Sequence, residues 1–211
     1  MTIDLERPPG VGLRWILIRH GEPEASAKGR CYGKLDVGLS DVGRAQMARV
    51  SEAFGASVTT LDAVYSSPRQ RAREGAEILS GESERDVSVD RRLSELDFGK
   101  LEGLTYEEVA EQFPDLYNRW MREPTEVKFP GGESFAEMKV RVLEALSVIR
   151  DRHSEQTIAI VSHGGVNRIV LAEALTIDAG SIFHLDQSHA GVNIIDDFDD
   201  YSVVRLMNGT C

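Results

Sequence analysis

Trp15-Ile-Leu-Ile18 is an unbroken apolar run that stops abruptly at Arg19-His20-Gly21. This junction constrains the fold more than any other stretch of the chain. A continuous apolar run suits a strand buried on both faces, as in a parallel sheet covered by helices. Thr157-Ile-Ala-Ile-Val161 repeats the pattern and ends in Ser162-His163-Gly164-Gly165. Leu61-Asp-Ala-Val-Tyr65 reads as a third short strand. It runs into Ser66-Ser67-Pro68, a serine cap with proline at the first helical position.

Between these strands the apolar residues recur at helical intervals. The spacing predicts helices over 41–54, 68–79, 105–113, 115–121, 133–153 and 166–175. Thr105-Tyr-Glu-Glu108 has the form of a capping box at one of these starts. A polar turn over 81–85, a short strand over 86–89 and a terminal hairpin of 190–198 with 201–206 complete the reading. Strands alternating with helices predict an α/β three-layer sandwich, its central sheet mostly parallel and flanked by helices on both faces. The 211 residues show no repeat and no linker, so residues 13–211 read as a single domain. Residues 1–12, polar and containing Arg7-Pro-Pro-Gly10, are expected to be a flexible leader.

Several function classes are disfavoured at once. The formal net charge is −11, from 24 Lys+Arg against 35 Asp+Glu. Binding to nucleic acid or to an acidic membrane surface needs a basic face, so neither is expected. No apolar run approaches the ~18 residues of a transmembrane span, and the first residues lack the apolar core of a secretory signal. Cys31 and Cys211 are the only cysteines. They make no disulfide framework, and a reducing cytoplasm is the expected compartment.

If the strands are parallel and adjacent, their C-terminal ends bring Arg19, His20 and His163 over one crevice, beside a helix that opens with Arg69, Arg71 and Arg73. Each component favours a phosphate. Arginine forks onto its oxygens, helix N-termini add N–H donors, and a neutral histidine can carry a phosphoryl group covalently. Taken singly, the residues have plainer uses: a strand-end histidine as a polar terminator, the arginines as a solvated helix face, Glu95 as surface charge. A metal site at His20 and His163 is disfavoured. Neither histidine has the spacing of a zinc motif, and the adjacent arginine would repel a cation.

The motifs, taken together, resemble the histidine phosphatase superfamily, also called phosphoglycerate-mutase-like. Arg19-His20-Gly21-Glu22 is similar to its signature. Gly29-Arg30 and Asp36-x-x-Leu-Ser40-x-x-Gly43 are similar to its next segment, and Ser66-Ser67-Pro68-x-x-Arg71-Ala72 to its second arginine motif. Leu93-x-Glu95-x-x-Phe98-Gly99-x-x-Glu102-Gly103 resembles its acid motif, and Ser162-His163-Gly164-Gly165-Val166 its second-histidine motif. The similarity covers about residues 13 to 200, in the family's order.

The resemblance implies a phosphoglycerate-mutase-like fold with a small helical cap at about 104–134, and a phosphatase that needs no metal and no cofactor. It implies His20 as the nucleophile that becomes phosphohistidine. Arg19, Arg71, His163 and Gly164 would hold the phosphoryl oxygens, and Glu95 would serve as general acid and then base. Three positions depart from the family pattern: Ser26 where asparagine is frequent, Gly38 where proline is usual, and Gly75 where threonine often stands. Ser26 is nevertheless expected at the phosphate. Arg30, Tyr106, Trp120, Glu133 and Ser134 are expected to bind the rest of the substrate, with Tyr117 at the mouth of the cap.

Phe113-Pro-Asp-x-Tyr-x-x-Trp120, Phe129-Pro-Gly-Gly-Glu-Ser134 and Gln187-Ser-x-Ala-x-Val-Asn193 look most like the α-ribazole phosphatase branch of cobalamin assembly, which shades into broad-specificity phosphatases. The expected partner is a small-molecule phosphomonoester, with a homodimer left open. A bisphosphoglycerate-dependent phosphoglycerate mutase and a non-catalytic phosphate-binding scaffold stand as the alternatives.

Overall fold

A computed structural model describes residues 3–83 and 85–211 of the chain. In chain order the main elements are β1 (Leu13–Arg19), α1 (Asp41–Phe54), β2 (Ala63–Ser66), α2 (Gln70–Ser83) and β3 (Val87–Val89). After these come α3 (Tyr106–Gln112), α4 (Pro114–Arg122), α5 (Phe135–Arg152), β4 (Gln156–Ser162), α6 (Gly164–Ala174), β5 (Val192–Asp197) and β6 (Ser202–Gly209). The strands form one six-stranded sheet in the order β3-β2-β4-β1-β5-β6. The first four are mutually parallel, and the terminal hairpin adds β5 and β6 antiparallel at one edge.

The sheet buries both faces, which is why its central strands read as unbroken apolar runs. Along β1, Leu13, Trp15 and Leu17 enter one core while Ile16 and Ile18 enter the other, the alternation a strand imposes. Along β4, Ile158 and Ile160 face the first core, and Ala159 and Val161 the second. Phe135, Met138, Val142, Leu146 and Ile149 of α5 and Val166 and Ile169 of α6 fill the first. Met47, Val50 and Phe54 of α1 with Ala76 and Leu79 of α2 fill the second. The result is the expected three-layer sandwich. No helix among the described residues is long and apolar enough to cross a membrane.

Three expectations change. The leader is packed rather than free: Ile3 and Leu5 are buried, and Ile3 N donates to Ala53 O at 2.8 Å. Two apolar side chains suffice to dock a segment whose average composition is polar; Met1 and Thr2 lie outside the described residues. Helix α2 begins at Gln70 rather than Pro68, although Ser67 Oγ does accept from Arg69 N at 3.1 Å in the turn before it. Asp36, reaching in from the long loop, accepts from Gln70 N at 2.7 Å, and Ser67 Oγ also lies 2.7 Å from His163 Nε2. The predicted turn over 81–85 is instead helical through Ser83, while Glu84 lies outside the described residues.

Candidate active site

Register brings the sequence motifs together. Arg19 pairs with Ser162 across β1 and β4, and Ser66 pairs with Val161 across β2 and β4. The three strands therefore end level, and the residues just beyond them meet over the edge of the sheet. Gly21 is required there by close approach: a Cβ on it would stand 2.3 Å from Gly43 O.

His20 is buried, and its Nδ1 lies 2.7 Å from Gly21 O. A carbonyl only accepts, so Nδ1 carries the hydrogen and Nε2 keeps its lone pair. The His163 ring lies 5.2 Å from that of His20, and its Nε2 is 2.7 Å from Ser67 Oγ. Both imidazoles titrate well below the ordinary histidine range. Burial is the largest cause, followed for each by the Arg71 charge, with Arg19 adding to it. They are neutral at neutral pH.

The two arginines are held only by neutral acceptors. Arg71, fully buried, donates to Leu35 O, Tyr32 O and Gly33 O at 2.9 to 3.0 Å, and its guanidinium lies over the Tyr32 ring at 5.0 Å. Arg19 donates to Gln187 O at 2.6 Å and meets His189 Nε2 at 3.0 Å. Neither forms an ion pair among the described residues, although the protein is strongly acidic. Arg19 Nε, Arg71 Nε and His163 Nδ1 are buried without any hydrogen-bond partner. Each such atom costs about 1–3 kcal/mol, so their concentration here marks a place where an anion with several acceptors would be stabilised.

Glu95 sits on the loop after β3. Its Oε2 accepts from Gly165 N at 3.1 Å, and its Oε1 accepts from Leu96 N at 2.9 Å. Glycine at 165 leaves the space, since a Cβ would come 2.3 Å from Glu95 Oε1. His20, Arg19 and Glu95 all line one cleft of about 220 Å³ whose outer wall is apolar and aromatic. Tyr106 and Trp120 of the helical cap stack at 5.4 Å in that wall, and Arg30 lies at the rim, donating to Gly103 O.

Other expected binding residues lie elsewhere. Ser26 is exposed and does not line the cleft. Ser134 is the N-cap of α5, accepting from Glu137 N in a reciprocal capping box. Glu133 pairs with Arg141 and accepts from Asp97 N at 3.0 Å, while Arg141 also donates to the carbonyls of Arg92, Ser94 and Glu95. Glu133 therefore braces the Glu95 loop from behind instead of facing substrate. Tyr117 packs against the core. Gly164 opens α6 in a buried position, where a Cβ would stand 3.0 Å from Arg168 Nη1.

Sequence reasoning missed Tyr32, Phe135, Met138, Phe183 and Arg168 in the cleft, and His189 beside it. Arg168 was the one within reach, four residues after Gly164 and so on the same face of α6. His189 sits 5.6 Å from the His20 ring across a sequence gap no periodicity spans.

Comparison with known proteins follows the same outline. The sequence pattern of the Histidine phosphatase superfamily (branch 1) matches residues 15–210. Phosphoserine phosphatase 1 of Hydrogenobacter thermophilus is 33% identical over 199 residues, spanning 94% of this chain and 93% of that protein. The structure of Bacillus stearothermophilus YhfR superposes with a TM-score of 0.88 at 28% identity, over 94% of this chain and 98% of that one. A putative alpha-ribazole-5′-P phosphatase from Escherichia coli str. K-12 substr. MG1655 reaches a TM-score of 0.86 at 24% identity, over 94% and 97% of the two chains. That last likeness is one of fold.

Proposed function

Because the chain belongs to branch 1 of the histidine phosphatase superfamily and is a phosphatase, we propose that it hydrolyses phosphomonoesters through a phosphohistidine on Nε2 of His20. The observation that carries this is the fixed tautomer of His20, whose Nδ1–H is committed to Gly21 O and whose Nε2 is free, beside two arginines with no anionic partner. Nε2 attacks phosphorus and the ester oxygen leaves, taking its proton from Glu95. Water then attacks the phosphohistidine, gives a proton back to Glu95 and releases phosphate and neutral His20. Arg19, Arg71 and His163 present donors to the phosphoryl oxygens, and their stabilisation grows as charge develops in transfer.

The leaving group faces Leu96, Phe98, Tyr106, Trp120, Phe135 and Met138. This wall favours an alcohol with an apolar or aromatic body, and α-ribazole 5′-phosphate is our candidate of that type. Phosphoserine is the second reading. The cations Arg30 and Arg168 in the same cleft suit its carboxylate, and a relative at 33% identity carries that name. Comparing kcat/KM for α-ribazole 5′-phosphate, phosphoserine and 3-phosphoglycerate separates these readings. Isomerisation of phosphoglycerate with little free phosphate would defeat both. Acid-quench labelling tests the nucleophile: a wild-type protein that never acquires an acid-labile phosphate removes His20 from its role.

A further inference from the structure

Arg19 is clamped by a single turn of chain between α6 and β5. Its Nη1 donates to Gln187 O at 2.6 Å, and its Nη2 lies 3.0 Å from His189 Nε2. The same turn closes on the β1 backbone: Ala190 N donates to His20 O, and Arg19 N to Gly191 O, both at 3.1 Å. Ala190 adopts a left-handed backbone with φ 55°. A residue with a Cβ pays for that conformation, so it persists only where its surroundings enforce it. The enforcement is visible in Gln187, whose buried side chain is tied to Asn193 and Asn167 at 2.9 to 3.2 Å.

Arginine only donates, so His189 Nε2 must be accepting, with the ring hydrogen on Nδ1. We propose that His189 is a positioning residue for phosphoryl transfer: a neutral imidazole that aims the Arg19 fork without cancelling its charge, and that releases Arg19 on taking up a proton. The inference rests on the reading of Arg19 as a phosphate ligand given above.

The chemistry of the acceptor is the reason. A carboxylate at this position would form a charge-assisted pair with Arg19 and compete with the phosphate for it. A neutral acceptor fixes the geometry and leaves the charge available. Protonated His189 has no lone pair on Nε2 and stands as a second cation against the guanidinium. Facing it are Arg19, His20 and Glu22 from β1 and the loop beyond, and Asp186 of its own turn lines a cavity with it. Arg49 of α1 and Glu24, Lys28 and Tyr32 share the two cavities that His189 lines beside the cleft. Burial, then Arg19, push the imidazole down to about 4, against a weaker upward pull from Glu22. The clamp is therefore engaged at neutral pH and opens only in acid.

The test compares wild type with His189→Gln, His189→Ala and His189→Glu, using an aryl phosphate for kcat/KM and orthovanadate as a phosphate mimic. The amide oxygen of glutamine can accept from Arg19, so His189→Gln is expected within about threefold of wild type at pH 7, whereas His189→Ala, which leaves Nη2 only the 3.4 Å contact to Tyr32 Oη, falls at least about tenfold. His189→Glu has the shape of the glutamine variant with an added charge, and it falls furthest, with weakened vanadate inhibition. Between pH 6 and pH 4 the ratio of wild type to His189→Gln drops about twofold, because only wild type titrates there. A structural role alone would not separate glutamine from glutamate or reshape the acid limb. Equal kcat/KM for wild type, glutamine and alanine variants at pH 7, or an acid limb unchanged in His189→Gln, overturns the inference. If wild type still forms phosphohistidine in that event, the reading of His20 stands and only the role of His189 is lost.

Discussion

The floor of the cleft and its mouth are built on different terms. On the floor, His20 lines the cleft with His163 and Arg71 buried beside it; the three are at most 2% exposed and project from the ends of β1 and β4 and the start of α2. Arg71 Nε and His163 Nδ1 remain there without a hydrogen-bond partner. At the mouth, Tyr106 is 41% exposed and stacks on Trp120 from two short cap helices. The floor is specialised for one chemical group, while the mouth offers surface to many. A rigid floor can be shared among enzymes of different specificity, and the mouth is where substrates are told apart.

The largest test of this contrast is on the floor. His20→Ala is expected to lower kcat by at least about 10³-fold on every phosphomonoester and to abolish acid-labile labelling. Uniform loss is the signature; a variant that stayed active on some esters would make the floor less exclusive than its geometry implies. Glu95→Gln, at the boundary, should depend on the leaving group. Losses of about 10²- to 10⁴-fold are expected for alkyl phosphates, and far smaller ones for aryl phosphates, whose oxygen departs without a proton. Equal losses on both classes, measured as kcat, would take the acid role from Glu95.

At the mouth, Trp120→Ala removes the ring that meets Tyr106, Phe98 and Phe129. KM for aryl phosphates should rise about tenfold with kcat nearly unchanged, and chemical denaturation should show a loss of about 3 kcal/mol. A fall in kcat with constant KM would place Trp120 on the floor's side of the comparison. The floor also carries a pH signature. His20 and His163 have folded pKa values below their unfolded ones. Above pH ~6.5 they are neutral in both states and contribute nothing to the pH dependence. Below it the unfolded chain binds protons that the folded chain refuses, and each buried histidine removes up to about 1.4 kcal/mol of stability per pH unit. The urea midpoint should thus be lower at pH 5 than at pH 7. Smallest of all is Ser26→Ala: the side chain is exposed, and kcat/KM should stay within about twofold.

Much of this molecule is legible one segment at a time. The apolar runs before His20 and His163 declare buried strands because burial on both faces removes the polar alternation. The capping box at Thr105 announces a helix start because its hydrogen bonds join residues three apart. The family motifs nominate the reacting groups proposed above, since phosphoryl transfer admits few side chains in few orders. What folding had to supply lies in contacts between distant segments. Ile3 and Leu5 dock against a core that a polar average concealed. Asp36 caps α2 from a loop 34 residues away, and Glu133, expected at the substrate, braces the loop of Glu95 through Arg141. His189 reaches Arg19 across 170 residues. Local propensity carries no trace of such partners, because their energy appears only once the sheet has brought the chain ends together.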